Sequence, residues 1–380
     1  MKIIHICLAS HYTEGMSYQD NLLPEQNAYD GNNVIVVSDC YKFNGSQLVK
    51  VHEEDKVLKS GVRLVRMEYD KVINTFITSK VRKVSKLYHF LDFEKPDVIL
   101  FHGAAGYEML NVAKYKKNNK NTKLYVDSHI DYNNSAKLKI SLYIQYRLFN
   151  RLIIYKVKKY IEKFLFVSFE CKVFLMNVYG LTERELEFYP LGGKIINRHD
   201  KNLLSKKVRG REGYQPDDIV IVHSGKLVSA KKTKELIEAF HSVQSNKLKL
   251  IIIGHIPKEQ IGVLEPLIVK DKRINFVGWK DTDELTEYLC AADMYFQPGT
   301  QSATMQHAIC CGLPIALFPY ESHRHYLDGN GFFVTTVNDY RLVFKNILEN
   351  PESLKNMSES SYKLAYSLLD YKILAARLYK

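Results

Sequence analysis

Cysteine, tryptophan and long apolar runs are scarce in this chain. Its 380 residues hold six cysteines and one tryptophan. The cysteines (Cys7, Cys40, Cys171, Cys290, Cys310 and Cys311) form no C-x-x-C pair and have no histidine at zinc-finger spacing. A disulfide framework and a metal site are therefore not expected. Cys310 and Cys311 follow one another on an expected helix, where a free thiol behaves as a small buried hydrophobe. No apolar stretch approaches the roughly 20 residues a helix needs to cross a bilayer. The opening residues 1–9 read as a short apolar strand without a signal-cleavage pattern, so a cytoplasmic protein is expected. Short-period repeats and low-complexity tracts are also missing. With 46% hydrophobic and 25% charged residues the composition is that of a folded globule.

The length exceeds one ordinary domain and points to two. The net charge is +12, and it is unevenly spread. Thirteen Lys or Arg face three acids between Lys114 and Lys163, so ten of the twelve excess positive charges fall there. Such a patch suits an anionic partner: nucleic acid, an acidic lipid surface or a phosphorylated substrate. No aromatic-basic RNA motif, helix-turn-helix or zinc finger accompanies it, so nucleic acid is not the expected partner.

Apolar, β-rich runs at 3–9, 34–38, 62–67, 98–102, 124–127 and 164–168 read as strands, with amphipathic stretches such as 19–29 and 79–91 between them. The pattern restarts at 219–224, 248–253, 274–277, 294–297 and 315–318, separated by helices such as 233–243 and 282–291. Near-continuous apolar strands joined by helical crossovers mark parallel sheets covered on both faces. The expected fold class is α/β with two doubly wound domains. Gly, Pro and charge density rise between Tyr189 and Gln215, which places the junction there. The expected domains are 1–195 and 196–363, with a C-terminal helix over 364–380 crossing back onto the first.

The most informative stretch is QPGTQSATMQHAICCGLP, 297–314. Small residues leading from a strand into a helix leave N–H groups unpaired, a setting that suits phosphate. Gln301, Ser302, Thr304, Gln306 and His307 add neutral donors and acceptors for a hydroxyl-rich ligand.

Further blocks fall into a known order. GKLVSAKKTKELIEAF at 225–240, IIIGH at 251–255, INFVGW at 274–279 and ELTEYLCAAD at 284–293 precede the 298–314 segment. Together they resemble glycosyltransferase family four. ICLASHYTEG at 6–15, YQDNLL at 18–23, VSFE at 167–170 and YPLG at 189–192 fit its first half. The resemblance is strongest from Ser224 to Pro314.

That resemblance implies a GT-B fold of two facing Rossmann-like domains with a cleft between them. It implies retaining, metal-independent transfer of a sugar from a nucleoside diphosphate donor, taken as a UDP-sugar, with no cofactor. Lys226 and Lys231 occupy the two basic positions and are assigned to the diphosphate. Gly225, Gly254, His255, Val277, Gly278, Gln301, Ser302, Ala303, Thr304 and His307 complete the donor side. The resembling enzymes carry two glutamates eight positions apart in this segment. Here those positions hold Gly299 and His307, with Gln301 as a stand-in for the first. That departure raises the alternative of a binding-only relative with weakened catalysis.

In the first half, His129 sits at the position of an active-site histidine, with Asp131 to orient it. His102 is a second candidate, and Glu14, Gly15, Tyr18 and Gln19 line the acceptor side. The acceptor is expected to be a glycan or lipid-linked sugar in surface polysaccharide synthesis, capsule or O-antigen. Residues 137–163 mix cations with apolar residues as a basic amphipathic helix that can rest on an anionic membrane's inner face. Core packing is expected to account for most of those apolar residues. Asp281-Thr-Asp283 resembles a D-x-D metal motif, but as a helix opening it reads as a cap.

Overall fold

The computed structural model describes residues 1–16, 18–44, 47–132 and 139–379. It divides into two compact units. One comprises Met1–Pro190 with Tyr371–Lys380, the other Leu191–Asp370.

The strands of the first unit are β1 (Lys2–Cys7), β2 (Asn33–Ser38), β3 (Tyr41–Asn44), β4 (Gln47–Lys50), β5 (Glu54–Val57), β6 (Arg63–Arg66), β7 (Val98–Phe101), β8 (Lys123–Ser128), β9 (Lys163–Phe166) and β10 (Leu186–Phe188). Eight of them form one sheet in the order β10-β9-β8-β7-β1-β2-β6-β5. Every pair is parallel except β5 with β6, and β3 and β4 make a separate hairpin. The order reverses between β1 and β7, where Ile6 pairs with Phe101. Ligands of open parallel sheets bind beyond the carboxyl ends of strands at such a reversal.

The second unit contains β11 (Ile219–Lys226), β12 (Leu248–His255), β13 (Ile274–Gly278), β14 (Met294–Gln297), β15 (Ile315–Leu317) and β16 (Gly331–Phe333), in the order β13-β12-β11-β14-β15-β16. All are parallel, and the reversal lies between β11 and β14. Strands such as IVIV at 219–222 are apolar without alternation because helices cover both faces. Phe240, Phe296 and Phe344 meet at ring separations of 5.2–5.9 Å in that core. Aromatic contacts of this kind add about 0.5–1.5 kcal/mol beyond area burial.

The helix expected across 364–380 is interrupted. Glu352–Leu364 is followed by a π-turn, Ala365–Leu369, then a break at Asp370 with ψ 119° and a short helix, Tyr371–Ala376. That last helix packs on the first unit, where Tyr371, Leu374 and Leu378 join Ile3, Leu23 and Val98 in one core. The Tyr189 hydroxyl donates to the Leu374 carbonyl at 2.7 Å.

The 137–163 segment differs from expectation in a useful way. Residues 133–138 lie outside the described set, and from Lys139 the chain runs helically to Tyr160. Among the described apolar residues of this segment, core packing takes only Ile153, Ile154 and Val157 fully. Ile140, Tyr143, Ile144, Leu148, Leu152 and Tyr155 are each more than half exposed. Among the described residues no helix is long and apolar enough to cross a membrane.

Candidate glycosyl-transfer site

At the reversal in the second unit, three strand ends and one loop are locked together. Gly225 and Gly254 pair across β11 and β12 with φ of 132° and 139°. A Cβ on Gly254 would fall 1.8 Å from the Gly225 carbonyl oxygen, so no side chain fits there. Lys231 is 5% exposed and lies over Gly225, where an added Cβ would come within 2.9 Å of its Cε. Its ammonium donates to the Thr300 and Gln301 carbonyls at 3.0 and 3.3 Å. Burial lowers its pKa to about 8, and among the described residues no acid raises it. The Gln297 amide also donates to the Thr300 carbonyl, at 2.6 Å, and Thr300 N–H donates to the Ala230 carbonyl at 3.0 Å. The 298–301 loop is thereby stitched onto residues 230–231.

His223 fixes the strand beneath. Its Nδ1 is 2.8 Å from the Phe296 carbonyl, which can only accept, so Nδ1 donates and Nε2 accepts from the Thr233 hydroxyl at 2.9 Å. Burial pushes its pKa down to about 4, against the pull of that carbonyl, and it is neutral.

The other expected donor-side residues gather at this edge. Lys226 and His255 are exposed register partners at the ends of β11 and β12. Val277 and Gly278 end β13, with Gly278 at φ 71° and Trp279 beyond it 72% exposed. Gln301 and Ser302 are half-buried and Ala303 is exposed. Ser302 Oγ lies 3.2 Å from Thr304 Oγ1, and His307 follows half-buried in the helix Thr304–Cys310 with a pKa lowered by burial. Asp281 caps the Thr282–Ala291 helix, its Oδ1 accepting from Glu284 N–H at 2.9 Å.

The first unit has its own cluster at the β1/β7 reversal. His102, just past β7, is 2% exposed. Its Nδ1 stands 2.6 Å from Asp127 Oδ2 and 3.7 Å from Asp20 Oδ1, and its Nε2 is 3.0 Å from His5 Nδ1. Buried that deeply, it offers almost no surface to a ligand. His129, on the loop after β8, keeps 39% of its side chain exposed, with Nε2 3.7 Å from Asp127 Oδ2. Asp131 is buried. Asp127, which the sequence left unassigned, is a carboxylate beside His129. Asp127 also accepts from Gly103 N–H at 2.8 Å. Burial alone would raise its pKa, but His102 and His129 outweigh that and hold it well below the usual carboxylate range.

Of the acceptor-side group, Gly15 and Tyr18 are exposed. Glu14 is tied to Lys56 at 2.6 Å and to Arg66 at 3.4 Å. Gln19 is 3% exposed, and among the described residues its amide finds no hydrogen-bond partner. Arg66 was not anticipated either. Its guanidinium is fully buried and donates to the Tyr12, Asp39 and Tyr41 carbonyls at 2.9–3.2 Å, shaping the 11–14 loop. The one sequence signal for it is a cation at an inward position of a buried strand.

With this geometry in hand, known proteins give a consistent comparison. Residues 205–364 match the family described as glycosyl transferases group 1. No curated protein matches the sequence. Among solved structures, HepE from Anabaena in complex with UDP is 13% identical over 99% of this chain and 98% of its own, with a TM-score of 0.69. Sucrose-phosphate synthase from Thermosynechococcus elongatus is 14% identical over 99% and 97%, at 0.67. WaaG, a glycosyltransferase involved in lipopolysaccharide biosynthesis, is 15% identical over 99% of each chain, at 0.63. At such identities the likeness establishes fold. The chain therefore has the GT-B fold, and residues 205–364 of its second unit match the family described as glycosyl transferases group 1.

Proposed function

We propose that this enzyme transfers a sugar from a UDP-sugar to a glycan or lipid-linked acceptor of a surface polysaccharide, with retention at the anomeric carbon. The observation that carries the donor side is the buried, acid-free ammonium of Lys231 at the sheet reversal, inside the segment that matches the transferase family. Breaking a bond to a nucleoside diphosphate leaves negative charge on the departing phosphates. A preorganised ammonium in a dry site stabilises that charge far more than one in water does. Lys226, exposed on the neighbouring strand end, supplies a second cation, so protein groups rather than a divalent ion serve the leaving group. UDP is taken as the nucleotide because HepE, similar along its whole length, was captured with it. His129 and the open amide of Gln19 are assigned to the acceptor and the reacting hydroxyls.

Thermal melting with UDP, GDP, ADP and CMP tests the donor. A ligand at a hundred times its Kd stabilises by about 2.7 kcal/mol. UDP is expected to raise Tm and the others to leave it unchanged. Trp279, the sole tryptophan, gives a second readout by fluorescence. A shift with another nucleotide and none with UDP would reassign the donor.

The exposed stripe of residues 140–155 favours a membrane-resting enzyme. Six apolar side chains share that face with Arg147, Arg151, Lys156 and Lys159, which are also exposed, and no acid occurs from 139 to 161. Each cation near an anionic surface contributes about 1 kcal/mol. The protein is expected to float with vesicles containing phosphatidylglycerol and not with phosphatidylcholine alone. Replacing Ile144 and Leu148 with Glu should abolish flotation while leaving the UDP shift intact. Equal flotation with both vesicle types would reject the reading.

A further inference from the structure

A line of polar side chains runs from the core of the first unit to its surface: Asn27, His5, His102, Asp127 and His129. Where the protons lie decides what His129 can do. Asp127 is fully buried, and a buried carboxylate without a cation costs several kcal/mol. Two imidazoles can supply that cation, His102 at 2.6 Å and His129 at 3.7 Å. The nearer one also faces Asp20 at 3.7 Å.

The hydrogen bonds on the far side agree. Asn27 Oδ1 lies 2.8 Å from His5 Nε2 and can only accept, so Nε2 carries the proton. His5 is fully buried, which disfavours its charged form, leaving Nδ1 as an acceptor. His102 Nε2 must then donate across the 3.0 Å contact, while its Nδ1 faces Asp127 Oδ2 at 2.6 Å as an ion pair, a distance at which a bare nitrogen lone pair would repel the carboxylate.

We propose that His102 is a standing imidazolium that neutralises Asp127 and so lets His129 release its proton more readily than an uncompensated Asp127 carboxylate would allow. His102 is thus a positioning residue. It touches no substrate and acts on His129 through Asp127. This rests on the reading that His129 serves the reacting hydroxyls, a task that needs a group poised near the working pH.

The protonation energetics run the same way. Burial lowers the His102 pKa, but Asp127 and Asp20 outweigh it and hold it at about 9. Burial and the positive charge of His102 drive His5 down to about 3, against its bond to Asn27. For His129, burial lowers and Asp127 raises, with Asp20 adding to the rise and His102 opposing it; the net shift is upward. The remaining titratable neighbour on β1, Cys7, is kept as a thiol by burial and by Asp20 and Asp127.

The test is an NMR titration of the full chain labelled with 15N-histidine, with His129→Gln used to assign its signal. In the wild type at pH 7, both His102 nitrogens should show the protonated signature and those of His5 a neutral ring. His102→Gln removes the compensating charge, so the His129 midpoint should rise by about 1–3 pH units, as for an opposite charge within 4–6 Å. Asp127→Asn should lower it. A folding defect alone does not move one group in opposite directions. A neutral His102 in the wild type at pH 7 overturns the proposal without any variant. An unmoved His129 midpoint in folded His102→Gln, or shifts of the same sign in both variants, overturns it too. No nucleotide or acceptor enters, so these outcomes stand even if the transfer reading fails.

Discussion

Replacing Lys226 and Lys231 together with alanine is expected to abolish the rise in melting temperature that UDP gives the wild-type protein. Hydrogen bonds to charged groups contribute about 1.5–3 kcal/mol each. Losing two ammonium groups from a diphosphate therefore weakens binding by roughly 3–6 kcal/mol, or about 10²–10⁴ in Kd. That exceeds the ~2.7 kcal/mol that saturating ligand supplies, so the shift at unchanged UDP disappears. The single variants separate binding from folding. Lys226 is exposed, and its loss should leave the ligand-free Tm near wild type. Lys231 also holds the Thr300 and Gln301 carbonyls, so its loss should lower the ligand-free Tm as well. The pH dependence has a definite sign. The Lys231 pKa is about 8, so its charge is present below that value and UDP affinity should fall as pH rises through it. An undiminished UDP shift in a folded double variant sinks the assignment.

Much of the architecture could be read from the chain because its cause is local. Strands such as Ile219–Lys226 are apolar throughout, and a run of that length between helical patterns has few other homes. The strands that escaped notice, Glu54–Val57 and Gly331–Phe333 among them, are short, polar or exposed at sheet edges, where burial leaves no periodic mark. The donor-side glycines were visible as a pattern, but the reason for them was not. Only the folded backbone shows that Gly254 lies against the Gly225 carbonyl. Asp127 was hidden for a similar reason. Its partners, His102 and His129, come from different loops brought together by the β7–β8 pairing. The exposed stripe was misjudged because periodicity identifies an apolar face without saying what covers it.

Placing a glutamate at Gly299, where resembling enzymes carry one, is expected to damage this protein. A Cβ at that position would lie 2.3 Å from the Ala230 carbonyl oxygen and 2.5 Å from the Lys231 carbonyl carbon. Real Cβ atoms do not approach backbone so closely, so the 298–301 loop must lift. Lifting it breaks the Thr300-to-Ala230 hydrogen bond and the Lys231 contacts to Thr300 and Gln301. Overpacking typically costs about 1–3 kcal/mol, and each buried partner left unsatisfied adds about 1–3 more. For a unit of this size, a loss of ~4 kcal/mol lowers Tm by roughly 8–16 °C. Gly299→Ala should share most of that fall, because the clash begins at Cβ. Gln301→Glu is the informative contrast: the position is half-buried, and its backbone carbonyl already accepts from Lys231. It should keep a near wild-type Tm and a UDP shift, and the added carboxylate should raise the Lys231 pKa. Wild-type melting by Gly299→Glu would show that the loop has slack and that the missing glutamate is a matter of history. The expected fall would show instead that this backbone excludes a carboxylate there, so contacts to the donor sugar must come from a neighbouring side chain, for which Gln301 is the candidate.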